Sequence, residues 1–194
     1  MASKEGFLID FRTNSFDNLK SNPVEAIEDI METYGDDVKK FVYTYMNNEA
    51  DADDVTQEVF VTVYLKIGTF KGDSSLKSWI YSIAANKCKD YIRRHRLRPI
   101  NLIQRLTQQE SNKSRTSDIA EEYIQRKAKD GLFEKIMELP IKYREVIILY
   151  YYKELSIKEI SFILKEKEST LQTRLLRARK KLRELLVKGG ILIG

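Results

Sequence analysis

Apolar residues recur at helical intervals in two blocks of the chain, roughly residues 25–96 and 130–188, and no alternating strand pattern of useful length occurs. In the second block Leu171, Leu175, Ala178, Leu182 and Leu185 follow one another by steps of four and three, a single apolar stripe along a long helix. Upstream, Ser156-Ile-Lys-Glu159 reads as a capping box, the serine oxygen accepting a backbone N–H and the glutamate reaching back to the cap. Ile157, Ile160 and Leu164 then share one face of a short helix, and Ser169-Thr-Leu-Gln172 offers a second capping box. In the first block Val55, Val59, Thr62 and Val63 face inward while Asp54, Gln57, Glu58 and Val61 face out. A further helix turns Leu76, Ile80, Ile83, Ala84 and Tyr91 to the core, and Trp79, Ser82, Asn86, Lys89 and Arg93 form a second stripe on it.

Between the blocks, residues 97–130 carry the polar, aperiodic run Thr107–Asp118, which predicts a flexible linker. Residues 1–24 are a polar lead-in with scattered Phe7, Leu8, Ile9, Phe11 and Phe16, and residues 189–194 are a short tail. With only 8 Gly and 3 Pro, the chain is poor in helix breakers. The predicted fold is therefore all-α: two small helical domains, 25–96 and 131–188, joined by the linker.

Charge sharpens this picture through its distribution more than its total of +5. Five acids and no bases fall between Glu49 and Glu58, whereas Lys87–Arg98 and Arg174–Lys188 are each strongly basic. One acidic and two basic faces predict at least two kinds of partner, a polyanion among them. Cys88 and His95 are the only cysteine and histidine, too few for a disulfide, a thiolate metal cluster or a His-based catalytic set. No cofactor and no enzymatic activity are expected. Lys4, Glu5, Asp10 and Arg12 interrupt the early apolar residues, which argues against a signal peptide. No apolar run nears the ~20 residues of a membrane span, so a cytoplasmic protein that does not insert in a membrane is expected.

Two helices joined by a tight turn, the second basic outside, match a helix-turn-helix whose second helix enters the major groove. Gln172 suits adenine, Thr173 a base or phosphate, and Leu176 a thymine methyl. Arg174, Arg177, Lys180 and Lys181 suit phosphates, which position without specifying. A typical motif has Gly and then an apolar residue in the turn; here Lys165 and Glu166 stand there. In the first block, Phe70-Lys-Gly-Asp-Ser-Ser75 leads into the Trp79–Arg93 stripe, which could hold single-stranded DNA: an amide to read a base, cations for phosphates. A plain helical bundle with a solvated charged surface accounts for the same spacing, and Trp79 suits a core as well as a base.

Together the blocks resemble a bacterial RNA polymerase sigma factor of the sigma-70 family, of the short extracytoplasmic-function (ECF) group that keeps only the second and fourth sigma regions. The resemblance rests on Ala52-Asp-Asp-Val-Thr-Gln-Glu-Val-Phe60, Gly68-Thr-Phe-Lys-Gly-Asp73, Lys77-Ser-Trp-Ile-Tyr-Ser-Ile-Ala84, Asn86 and Asp90-Tyr-Ile-Arg-Arg94. It continues in Leu139-Pro-Ile-Lys-Tyr-Arg-Glu-Val146, Leu155-Ser-Ile-Lys-Glu-Ile160 and Arg174-Leu-Leu-Arg-Ala-Arg-Lys-Lys-Leu182. It implies that Asp53, Asp54, Gln57 and Glu58 dock on the β′ clamp coiled coil of core polymerase, with a second contact to the β flap. Phe70, Lys71, Ser74, Lys77, Trp79, Ser82, Asn86, Lys89, Arg93 and Arg94 would then bind and help melt the −10 element. Ser169, Thr170, Gln172, Thr173, Arg174, Leu176, Arg177, Lys180 and Lys181 would read the −35 element. An anti-sigma protein is a further implied partner. The departures at Lys165 and Glu166 touch only the module that would read the −35 element. A duplex-binding helix-turn-helix regulator explains the second block but not the acidic strip or the Asn86 face. A polymerase-binding decoy is the other alternative.

Overall fold

A computed structural model describes residues 23–96 and 131–190, all-helical among the described residues, with no strand. The expected linker at 97–130, most of the lead-in and most of the tail lie outside them.

The first domain is a three-helix unit. Helix α1 (Pro23–Met46) starts on proline, whose missing N–H costs nothing where no intrahelical partner exists. It buries Ala26, Ile30, Val38, Phe41, Val42 and Tyr45. Asn47 turns the chain with φ 54°, and the Asn48 side chain caps α2 (Glu49–Lys66) by accepting from the Asp51 N–H at 3.2 Å. Along α2, Ala52, Val55, Val59, Phe60 and Val63 are buried; Val55, Val59 and Val63 belong to the inward face read from spacing, and Ala52 and Phe60 are added to it. Thr62, expected inward, is half-buried and donates to the Glu58 carbonyl at 2.8 Å. A 3₁₀ turn (Ile67–Thr69) and a loop lead to α3 (Leu76–Arg96), whose start is held by the Ser75 hydroxyl accepting from the Ser78 N–H at 3.1 Å.

The second domain comprises α4 (Leu132–Met137), α5 (Ile141–Ile147) continued by a π-helical turn (Ile148–Tyr152), α6 (Ile157–Leu164) and α7 (Glu168–Lys188). The Ser156/Glu159 capping box forms in both directions at the start of α6. Burial alone would raise the Glu159 carboxyl, but hydrogen bonds from Ser156 and Ser78 and the nearby Lys77 outweigh it and hold the carboxyl below its usual range. The second expected capping box does not form: α7 begins one residue before Ser169, with Lys167 at the cap making no side-chain bond. Ser169 thus lies inside the first turn, where its carbonyl accepts from the Thr173 hydroxyl at 3.0 Å. The stripe on α7 is as expected, with Leu171, Leu175 and Ala178 buried and Leu182 and Leu185 packed on the core.

The turn between α6 and α7 forms without glycine. Lys165 takes the left-handed conformation at φ 56°, and the Ser161 hydroxyl donates to the Glu166 carbonyl at 2.6 Å to close it. Lys165→Gly is expected to stabilise the domain by about 0.5–1 kcal/mol, the left-handed penalty less the entropy of an unfolded glycine. Urea unfolding of the two proteins checks this.

The two domains pack on one another, α3 against α6 and α1 against α5. Arg144 of α5 donates to the Thr44 carbonyl of α1 at 2.7 Å and to the carbonyls of Met137 and Leu139. Lys153, 6% exposed, pairs with Asp37 at 2.9 Å; its burial lowers the ammonium pKa despite that partner.

Candidate nucleic-acid interface

Three surfaces carry the residues singled out from the sequence. The first is the outer face of α2. Asp54 and Gln57 are exposed, whereas Asp53 pairs with Lys39 at 2.5 Å and Glu58 faces Lys87 at 3.4 Å and Arg94 at 3.3 Å. Beyond the acids the same face continues into Val61 (58% exposed) and Leu65 (72%), so the strip is acidic at one end and apolar at the other. Leu65 was missed by spacing analysis. An outward-facing Leu looks like noise until the rest of the face is known.

The second surface is the loop before α3 and the stripe along α3. Lys71 is exposed and Ser74 half-buried, but Phe70 is buried at 5% and its ring lies 5.1 Å from that of Trp79. Phe70 therefore shapes the loop from beneath. Trp79 is half-buried and packs against the core, so it remains partly accessible. The Ser82 hydroxyl is spent on the Trp79 carbonyl at 2.7 Å, a local bond that a helical Ser makes readily. Asn86 is half-exposed. Arg93 is exposed and pairs with Asp90 at 2.9 Å, a bond within one turn that a phosphate can replace. Lys77 and Lys89 reach instead into the second domain, Lys77 to the Lys153 carbonyl at 2.9 Å and Lys89 to Glu145 at 3.4 Å.

The third surface is the outer face of α7. Ser169, Thr170, Gln172, Thr173, Leu176, Arg177, Lys180 and Lys181 are all exposed, Leu176 at 66%. Arg174 is the exception. Expected outward as a phosphate contact, it is only 17% exposed and its guanidinium bridges Glu145, at 3.1 Å, and Glu166. Glu166 replaces the apolar turn residue by adding a carboxylate to this pair. The bridge fixes α7 against α5 and the turn, which makes Arg174 a positioning residue.

The two remaining candidates for reactive chemistry sit inside the structure or against it. Burial pushes the Cys88 thiol far above its ordinary value, opposed only in part by Lys89, and the His95 ring stacks on Tyr91 with centroids 4.0 Å apart. Among the described residues no three His, Cys, Asp or Glu side chains converge as metal ligands, and no helix is long and apolar enough to cross a membrane.

An acidic-to-apolar strip on α2, a loop-and-stripe surface along α3 and a basic outer face on α7 thus stand as three separate surfaces of one multi-helical protein. Sequence models of the two modules match in order: Sigma-70 region 2 over residues 30–98 and Sigma-70, region 4 over residues 130–182. The chain is 31% identical over 175 residues to the ECF RNA polymerase sigma factor SigW of Bacillus subtilis, covering 87% of this chain and 92% of that protein. It is 29% identical over 171 residues to SigM of the same organism, covering 84% of this chain and 97% of that protein. The fold is shared with CnrH, solved in complex with the cytosolic domain of CnrY, at a TM-score of 0.62 and 22% identity over 89% of this chain and 95% of that one. It is likewise shared with Bartonella quintana RpoE, solved with the anti-sigma factor NepR, at a TM-score of 0.61 and 19% identity over 84% of this chain and 97% of that one. This chain belongs to the sigma-70 family of RNA polymerase sigma factors, in its ECF group.

Proposed function

We propose that the protein binds core RNA polymerase, directs it to promoters by reading a −35 element as duplex and a −10 element as melting strand, and itself catalyses nothing. The observation that carries this reading is the exposed face of α7 from Ser169 to Lys181, largely polar and basic in a helix that buries Leu171, Leu175 and Ala178 on its other side. Gln172 and Leu176 on it have the groups that distinguish base edges in the major groove, and Arg177, Lys180 and Lys181 flank them for phosphates.

In the first domain, Asn86 on α3 reads a base that has left the stack, while Lys71, Arg93 and Trp79 hold the strand around it. Capturing the unstacked base offsets the few kcal/mol that unstacking costs, so melting is driven by binding alone. Core polymerase occupies the Asp54–Leu65 face of α2, and the β flap the second domain. An anti-sigma protein is a further partner on this reading, supported by RpoE, which was solved with the anti-sigma factor NepR. The absence of a described membrane-crossing helix fits a cytoplasmic site of action.

The test is Asn86→Ala. Loss of one base-reading hydrogen bond predicts an about tenfold drop in open-complex formation, followed by permanganate reactivity of unpaired thymines, with duplex affinity nearly unchanged. Equal loss of both would place Asn86 in the structure of α3 and remove it from the interface.

A further inference from the structure

Glu166, which stands in the turn where an apolar residue is usual, is bonded at both its backbone and its side chain. Its N–H donates to the Ser161 carbonyl at 3.3 Å, and its carbonyl accepts from the Ser161 hydroxyl at 2.6 Å, which ties its backbone to α6. Its carboxylate holds one arm of the Arg174 guanidinium. The other arm goes to Glu145 of α5 at 3.1 Å, and the second oxygen of Glu145 accepts from the Tyr45 hydroxyl at 2.7 Å. One line of bonds thus runs from α6 through Glu166 and Arg174 to α5, with α7 held in the middle.

Little else orients the start of α7. Lys167 at its cap makes no side-chain bond, and the buried Leu171 and Leu175 make apolar contacts, which resist separation but have no direction. Arg174 lies between Thr173 and Leu176 and two residues after Gln172, in the stretch that carries the base-reading side chains. A planar guanidinium fork between two fixed carboxylates sets the tilt and rotation of that stretch.

The size of the effect follows from helix dimensions. A tilt of about 10° around Leu175 moves a side-chain tip ~9 Å away by ~1.6 Å. Hydrogen bonds to base edges tolerate only about 2.7–3.2 Å between heavy atoms, so Gln172 would lose its base. Lys180 and Lys181, on flexible stems, would still follow a phosphate over that distance. A misplaced α7 therefore loses discrimination before it loses affinity. Charge adds a constraint: Glu166 is 28% exposed, and a carboxylate beside a DNA-binding face repels phosphates. Any favourable contribution it makes to promoter binding comes through Arg174.

We propose that Glu166 is a positioning residue that determines specificity at the −35 element: by holding Arg174 against Glu145 it sets the angle at which α7 enters the groove, without touching DNA itself. This rests on the −35 reading of α7.

Promoters mapped by run-off transcription with the wild-type protein, randomised at their −35 positions and transcribed by each holoenzyme, test this. Glu166→Gln, which keeps the size and loses the charge, is expected to lower the ratio of transcription from preferred over scrambled −35 sequences about tenfold. Transcription from scrambled sequences stays level, which also reports an intact fold and intact core binding. Arg174→Lys keeps the charge, loses the fork and gives the same fall, and the double variant falls little further because the two side chains act as one unit. Losses that add in the double variant would overturn the proposal, as would an equal fall on preferred and scrambled sequences, which marks a role in the fold alone. Stronger transcription from every sequence alike in Glu166→Gln, with a log–log salt slope altered by about 0.9, would also overturn it and make Glu166 a charge felt by a phosphate. If the wild-type holoenzyme prefers no −35 sequence, the −35 reading fails and takes the proposal with it. If the wild type has a preference and Glu166→Gln keeps it in full, the proposal alone fails.

Discussion

Phe41→Ala is expected to lower the unfolding free energy by about 3–5 kcal/mol, the usual range for emptying a fully buried aromatic site. Phe41 is 0% exposed, and its ring meets Tyr45 edge-on at 5.3 Å and Tyr81 at 5.1 Å. Such edge-to-face pairs each add about 0.5–1.5 kcal/mol beyond area burial. The cavity would open beneath the side chain whose hydroxyl holds Glu145, so the defect spreads to the domain boundary. Urea unfolding followed by circular dichroism measures it, with Phe41→Leu as the volume-conserving comparison expected to lose distinctly less. A loss under 1 kcal/mol for Phe41→Ala would mean that α1 repacks and that Phe41 does not anchor the first domain.

The second large effect lies on the surface. Asp54→Lys with Leu65→Asp is expected to weaken binding to core polymerase by tens- to hundreds-fold while leaving unfolding stability nearly unchanged. Both side chains are exposed, so the fold gives up little. An interface loses at one end a charge complementary to a basic partner and at the other an apolar anchor, each worth about 1–3 kcal/mol when central. Glu58 is the less clean choice for charge reversal, because a lysine there would face Lys87 and Arg94. Fluorescence anisotropy of labelled protein titrated with core enzyme measures the change. Unaltered affinity would move the polymerase-binding face away from α2.

Local rules made much of this molecule legible. The α7 stripe and the Ser156/Glu159 box depend only on residues within a few positions of one another, and both formed as spacing required. Where the reading failed, a distant or competing residue decided. Ser169 looked like a cap because its neighbours suit one, yet α7 starts earlier, and no side chain at Lys167 caps it. Arg174 falls on a half-outward position of the wheel, and only the fold reveals carboxylates at Glu145 and Glu166 within its reach. Phe70 sits in a polar loop that gives no sign of the indole above it. The bond between Tyr45 and Glu145 joins residues 100 positions apart, which no periodicity encodes. For the same reason the pattern of apolar positions separates two helical blocks but carries no sign of their shared face.

Run-off transcription tests the central claim most directly: purified core polymerase, with and without this protein, on fragmented DNA of its source organism. Discrete new transcripts that appear only with the protein, and whose start sites share common upstream elements, are the predicted result. An identical transcript pattern with and without it, together with no binding to core, would contradict the claim and leave an ordinary duplex-DNA regulator.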